Sequence, residues 1–465
     1  MTDHLVVGSL PSWRDGPAKQ SILTFRDITN GPEKNVLRGL GALFAGWTVI
    51  EYDEQAREFL SRAVHPRFDH LHPRLTYHPM LELVTAGGRL GIADPDHSVG
   101  FGYVCSRMRD IGLGRTFLTG QTLDRRVMVT WKLPASGGSM RAVWYDEQGP
   151  ARVVLRVGEV PALEPGPSEV RVRVRLSGVN PGDTKKRRGW LGSRMPFPRV
   201  IPHSDGAGIV EAVGEGVDPG RVGRRVWVYG AQSYRPFGTS AQLTVVPEHQ
   251  AVELPDDVSD EVGACLGIPG ITAHRAVFAD GPVAGMTVLV HGVLGGVSAL
   301  AAQLAHWAGA TVIGTVRREH DLGSVNRSAL AHAVALDGRD PVAAIRAVAP
   351  EGVDRVVEVA FSDNVDLDAA VVKNQAVIAT FATRRDRPDF PFWPMLFDNV
   401  VIRLLGSDDF PVETKRQAAR DLTTAAHEGA LSIAIGDPLP LERAAEAHDR
   451  VEAGGRERVL LAIPD

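Results

Sequence analysis

Thr287-Val288-Leu289-Val290-His291-Gly292-Val293-Leu294-Gly295-Gly296-Val297-Ser298 runs directly into Ala299-Leu300-Ala301-Ala302-Gln303-Leu304-Ala305-His306-Trp307. The opening residues form a short apolar run of β-formers. Three glycines follow, and then Leu300, Leu304 and Trp307 recur at the spacing of one helical face. Strand, glycine-rich turn and helix in this order are the context in which such a turn reads as a dinucleotide loop. Glycines let the backbone approach a pyrophosphate, and the free N–H groups and dipole at the helix start hold its charge. The spacing G-x-x-G-G-x-S departs from G-x-G-x-x-G, so the reading rests on the flanking strand and helix. The competing reading is a plain tight turn.

The next strand, Thr311-Val312-Ile313-Gly314-Thr315-Val316, ends in Arg317-Arg318. An acidic residue there would bind the ribose hydroxyls of NAD. The segment has none, and two guanidinium groups suit a 2′-phosphate, which favours NADPH. The plain alternative is a solvated strand end.

Working outward, short apolar strands alternate with amphipathic helices from Ile268 to about Ser407, with strands expected at 287–291, 311–316, 353–359, 375–381 and 399–405. That alternation implies a parallel sheet covered on both faces. A helix at about 411–428 and a strand near Val459-Leu460-Leu461 return the chain to an earlier region. Residues 140 to 262 instead carry β signals. Val153, Leu155 and Val157 alternate in one expected strand, and Glu169 to Arg175 alternates strictly in another. A small-residue patch, Ala135-Ser136-Gly137-Gly138-Ser139, marks a boundary before Met140.

The chain has 465 residues, 44% of them apolar and 23% charged, which is ordinary globular usage and a length for about three domains. No apolar run reaches the roughly 18 residues of a membrane span, and the N-terminus has no signal-peptide pattern, so the expected location is cytoplasmic. A net charge of −5 gives no footprint for nucleic acid. Cys105 and Cys265 are the only cysteines, too few for a disulfide framework or a four-cysteine metal lobe. Glycine is in surplus, at 49 residues.

Several ordered motifs extend the glycine loop. They are Ser177-Gly178-Val179-Asn180-Pro181-Gly182-Asp183-Thr184, the run Ile201 to Gly214 (IPHSDGAGIVEAVG), Pro269-Gly270-Ile271-Thr272-Ala273-His274, and Pro440 to His448 (PLERAAEAH). With these, residues 140–465 resemble the zinc-independent medium-chain dehydrogenase/reductases of the quinone oxidoreductase, zeta-crystallin-like type. The resemblance implies an α/β architecture. A GroES-like β-rich catalytic domain (140–262 and 429–465) encloses a Rossmann doubly wound parallel sheet (263–428) that binds NADPH, and an N-terminal extension (1–139) has no assignable fold. Zinc-dependent relatives carry a cysteine where Asn180-Pro181-Gly182 stands and a histidine where Ser204 stands, so no metal is implied. His203, one position earlier, reads as a loop histidine.

The implied activity is hydride transfer from NADPH to a small-molecule quinone or activated enone in the cleft between domains. An enoyl thioester reductase, or a non-catalytic NADPH-binding crystallin-like protein, are the alternatives. Asn180 is placed beside the nicotinamide with its amide offered to an acceptor carbonyl, unless it only caps a turn before Pro181. Asp183 and Thr184 match the same pattern, or are helix-initiating residues. Cofactor contacts fall on Thr272, Leu294, Gly295, Gly296, Val297, Ser298, Arg317, Arg318, Asn364, Phe381, Ala382, Thr383 and Ser407. Ser298 replaces a loop glycine, and Lys185 replaces an aromatic. A homodimer through the edge strand near Val400 to Leu404 is a further implication.

The first 139 residues read differently. Leu10 to Gln20 is similar to haloacid dehalogenase-like phosphatases, and Gly87 to Val104 to β-lactamase-like serine hydrolases. Neither the D-x-D-G-T nor the S-x-x-K nucleophile accompanies them, and neither chemistry proceeds without its nucleophile. His65, His70, His72 and His78 lack a regular ligand spacing.

Overall fold

The computed structural model describes residues 138–465. The fragment resemblances, the histidine-rich stretch and Cys105 lie outside the described residues. Strands run in chain order as β1 (Ser139–Trp144), β2 (Arg156–Pro161), β3 (Glu169–Val179), β4 (Asp205–Val213), β5 (Arg225–Val228), β6 (Leu243–Pro247) and β7 (Ala251–Glu253), then β8 (Thr287–Val290), β9 (Thr311–Val316), β10 (His332–Ala335), β11 (Val353–Glu358), β12 (Val372–Thr380) and β13 (Val401–Leu404), and finally β14 (Leu439–Pro440) and β15 (Val459–Ala462).

β8 to β13 build one six-stranded sheet in the order β10-β9-β8-β11-β12-β13, parallel throughout. Strand order reverses between β8 and β11, the switch point at which open α/β sheets bind ligands. Alternation assigns the two faces. Val288 and Val290 pack with Leu300, Leu304, Ile271 and Leu422, whereas Leu289 packs with Ile313, Ile345 and Phe361 on the other side. Leu300 and Leu304 are fully buried, each stabilising the layer by about 1.5–3 kcal/mol.

The second sheet has seven strands, ordered β14-β15-β3-β4-β5-β7 with β6 also on β3. β3 is its spine, and its strict alternation becomes a buried row of Val170, Val172 and Val174. β15 pairs antiparallel with β3, so residues near 460 complete a sheet begun at Glu169. β1 and β2 form a separate antiparallel pair.

Two expectations are corrected. Arg152 to Val157 is not one strand: Ala151–Val154 is a short helix, and the strand starts at Arg156. The cause is Pro150, whose carbonyl accepts from the N–H groups of Val153 and Val154, so a turn wins over the apolar alternation. His332–Ala335 is a four-residue outer strand that the alternation of strands and helices did not mark. Cys265 is buried, as a small apolar residue is. Among the described residues, no helix is long and apolar enough to cross a membrane.

Candidate active site

The glycine loop sits at the switch point, after β8. Gly292 adopts φ +66°, a conformation open to glycine at little cost, and its carbonyl accepts from Gly295 N–H at 2.8 Å. Gly314 on β9 leaves room for the loop, since a Cβ there would lie 2.9 Å from Val293 Cγ1. The helix Gly296–Trp307 begins at Gly295 with no side-chain cap, so its first N–H groups are available to an anion.

Arg458, from β15's leading edge, lies beside this helix start: a Cβ on Gly296 would be 3.4 Å from Arg458 Cδ. Arg458 is only 9% exposed, and its Nε has no partner among the described residues. Gly295, Gly296, Arg456 and Arg458 share a cavity of about 270 Å³ that continues toward Gln303, Ser324 and Asn326. A buried guanidinium with an unused donor, beside uncapped amides, has the chemistry to hold a pyrophosphate. Sequence reasoning missed Arg458, because it reaches the loop only through the return of the chain.

Arg458 also donates to Asn180 Oδ1 at 2.8 Å, while Asn180 Nδ2 donates to Asp205 Oδ2 at 2.7 Å. Asn180 is 3% exposed. Where an amide offered to an acceptor was expected, both ends of the group are engaged in a buried bridge, as burial of an amide demands. Both Asp205 oxygens also accept from Ile268 N–H at 2.9 Å. Gly267 permits this approach, since a Cβ there would lie 2.1 Å from Asp205 Oδ1.

Asp183 is buried and accepts from the Asn180 backbone N–H at 2.8 Å. Burial, and then the nearby Asp205 carboxylate, push it up to about 7. Burial raises Asp205 to about 6, with the Asn180 bond opposing. Thr184 is buried too, its hydroxyl donating to Pro181 O at 3.1 Å.

The remaining expected residues take several settings. Thr272 donates within its own helix to Ile268 O at 2.6 Å. Arg317 and Arg318 are exposed where β9 ends. Asn364 is turned to both Glu358 oxygens at 3.1 Å. Phe381 and Ala382 are half-buried and Thr383 exposed past β12, and Ser298 is buried. Ser407 lies beside Asp408, which ties this turn to the β-rich lobe: Ser233 Oγ donates to it at 2.6 Å and Lys186 Nζ pairs with it at 3.0 Å.

His203 lies in a loop, as expected, but not at the surface. It is fully buried, at φ +76°, in a chain of hydrogen bonds. Arg187 Nε donates to His448 Nδ1 at 3.3 Å, the two histidines share Nε2 atoms at 3.0 Å, His203 Nδ1 meets Ser177 Oγ at 2.8 Å, Ser177 meets Thr239 Oγ1 at 2.8 Å, and Thr239 donates to Asp205 O at 2.6 Å. Because the arginine can only donate, every later proton is assigned in turn, and both rings must be neutral. Burial drives His203 down to about 3 and His448 well below its usual value.

A parallel nucleotide-type sheet joined to an antiparallel β-rich lobe, with a glycine loop at the switch point linked through Arg458 to Asn180, defines a medium-chain dehydrogenase/reductase. Residues 166–256 match the alcohol dehydrogenase GroES-like domain. The chain is 30% identical over 320 residues to human quinone oxidoreductase, covering 68% of this chain and 94% of that one, and 31% identical over 331 residues to the rat protein, covering 70% and 98%. The chain belongs to the quinone oxidoreductase family. Among solved structures, a mycobacterial protein complexed with NADPH is 26% identical with TM-score 0.59, covering 70% of this chain and all (100%) of that one. A mycobacterial quinone oxidoreductase is 27% identical with TM-score 0.62 and the same coverage.

Proposed function

We propose that this protein reduces quinones or activated enones with NADPH, without a metal ion, in the cleft between the glycine loop and Asn180. The observation that carries the reading is the uncapped start of the helix Gly296–Trp307 with the buried, partly unpartnered Arg458 beside it. These residues fit a dinucleotide pyrophosphate. NADPH, when bound, supplies a hydride to an electron-poor acceptor. The residues do the rest. Loop amides and Arg458 hold the pyrophosphate, Arg317 and Arg318 meet the 2′-phosphate, and the second N–H of Asn180 donates to the acceptor oxygen as it gains charge. The loop Asn180-Pro181-Gly182 and Ser204 stand where zinc-dependent relatives carry ligands, which supports a metal-free reaction. The product oxyanion takes its proton from solvent.

The lobes are assigned as 140–262 with 429–465 for catalysis and 263–428 for the cofactor, working in the cytoplasm. A homodimer through β13 is supported by an exposed apolar strip: Leu404 is 78% exposed, Phe397 71% and Trp393 65%. Following NADPH absorbance with an ortho-quinone, using the full chain, tests the activity. NADPH oxidation that depends on the quinone is the expected result; cofactor binding without oxidation would leave a non-catalytic NADPH-binding protein.

A further inference from the structure

Directly beneath the phosphate loop lies a fully buried cluster: His291 from the end of β8, Glu358 from the end of β11, and Asp368 from the helix Phe361–Val371. His291 Nε2 meets Asp368 Oδ1 at 2.8 Å and lies 3.6 Å from Glu358 Oε2. His291 Nδ1 meets Thr315 Oγ1 at 2.9 Å, and that oxygen accepts from Gly292 N–H at 3.3 Å. The chain of contacts thus runs from Asp368 through His291 and Thr315 to the first glycine of the loop. Although all three residues are metal-ligand types, the 2.8 Å contact is a hydrogen bond. Two ligands of a tetrahedral ion at about 2.0 Å bonds stand farther apart than that.

We propose that His291, charged and held by Asp368, is a positioning residue for cofactor binding: it fixes Thr315 and Gly292 and places a buried positive charge under the pyrophosphate. This rests on the reading of the glycine loop as the NADPH site. In the charged ring both nitrogens donate, one to Asp368 and one to Thr315, leaving Oγ1 to accept also from Gly292. The ring's charge offsets that of Asp368, 2.8 Å away, and leaves the positive end of the pair on the side of Thr315 and Gly292, where the low dielectric lets it act on the phosphates. The charged groups facing the ring are Asp368 and Glu358; β9 contributes only the neutral Thr315. Burial, the largest single influence, would lower His291, but the Asp368 and Glu358 carboxylates together outweigh it and hold the ring above its usual value. Burial, followed by the opposing pull of His291, leaves Glu358 at about 7.

The sign follows. As pH rises, Glu358 gains negative charge near 7 and His291 loses its proton above its ordinary range, so both changes disfavour an anionic ligand. Wild-type affinity for NADPH falls as pH rises from 6 to 9. Asp368→Asn keeps the shape and removes the charge that protonates the ring. Its Kd for NADPH at pH 6.5 should rise roughly tenfold, the loss of one charge-assisted bond, with a flattened pH dependence and kcat at saturating NADPH within about twofold. Thr315→Val, which keeps the shape and breaks the link to Gly292, should raise Kd similarly while leaving the ring charged. Calorimetric titration gives Kd, and histidine proton NMR of the full chain reports whether the ring is charged at neutral pH. A neutral ring in the wild type, or Kd unchanged in folded Asp368→Asn or Thr315→Val, overturns the proposal. So does a stoichiometric divalent ion in elemental analysis. Wild-type protein that binds no NADPH overturns the functional reading itself, a separate result from intact binding with unaffected variants.

Discussion

Asn180 and Asp205 meet at 2.7 Å, amide to carboxylate, where the residue capping the helix Pro181–Arg188 touches the first residue of β4. Arg458 closes the other end of the amide, so one asparagine joins a buried acid to a buried base. Asn180→Ala leaves both without that partner. The expected loss of stability is about 1–3 kcal/mol, read from denaturant unfolding, and the variant should also bind NADPH more weakly because Arg458 loses its anchor. Unchanged stability and affinity would show that the bridge is dispensable.

Arg317 and Arg318 are exposed where β9 ends and make no ion pair among the described residues. Replacing both with alanine should raise Kd for NADPH roughly 10- to 100-fold, the range of one or two charge-assisted phosphate contacts, while Kd for NADH stays within about twofold. Equal effects on the two cofactors would remove the 2′-phosphate from their role.

His203 and His448 are held neutral by burial and by the direction of their hydrogen bonds. Their folded-state values lie below the unfolded one, so the stability they contribute is present above about pH 6.5 and is lost as pH falls toward their folded values. His448→Gln, which keeps donors and acceptors but does not titrate, should show a shallower loss of stability between pH 6.5 and 4 in thermal melts. An unaltered pH slope would place the acid sensitivity elsewhere.

Leu404 ends β13, one of the two edge strands of the parallel sheet, and is 78% exposed. If a second copy covers it, Leu404→Glu should shift the sedimentation profile toward monomer without changing the far-UV spectrum, because a charge buried in an apolar interface costs several kcal/mol. A profile identical to wild type would argue against β13 as the contact.

Much of this fold was legible because its signals are local. The run Thr287 to Val290, the glycines and the period of Leu300 and Leu304 announce strand, loop and helix from neighbouring residues. What stayed hidden depends on partners far along the chain. Asn180 and Arg458 are 278 residues apart and His203 and His448 are 245 apart, so no window of sequence holds both members. Thr184 and Asp183 were legible as a helix start, yet their burial comes from the lobe packed around them. Ala151–Val154 misled because alternation and Pro150 gave opposing instructions, and the proline acts on the backbone directly.

The pairing of β15 with β3 has a consequence for synthesis. The end of β3 from Leu176 to Val179 emerges from the ribosome some 280 residues before its neighbour (Val459 pairs with Val179), and at about 5–20 residues per second it waits on the order of half a minute with that side open. The parallel sheet, whose strands are contiguous in the chain, can form during that wait. A nascent chain halted before Val459 should therefore expose β3 to chaperones, and loss of the last few residues should harm solubility far more than their number suggests.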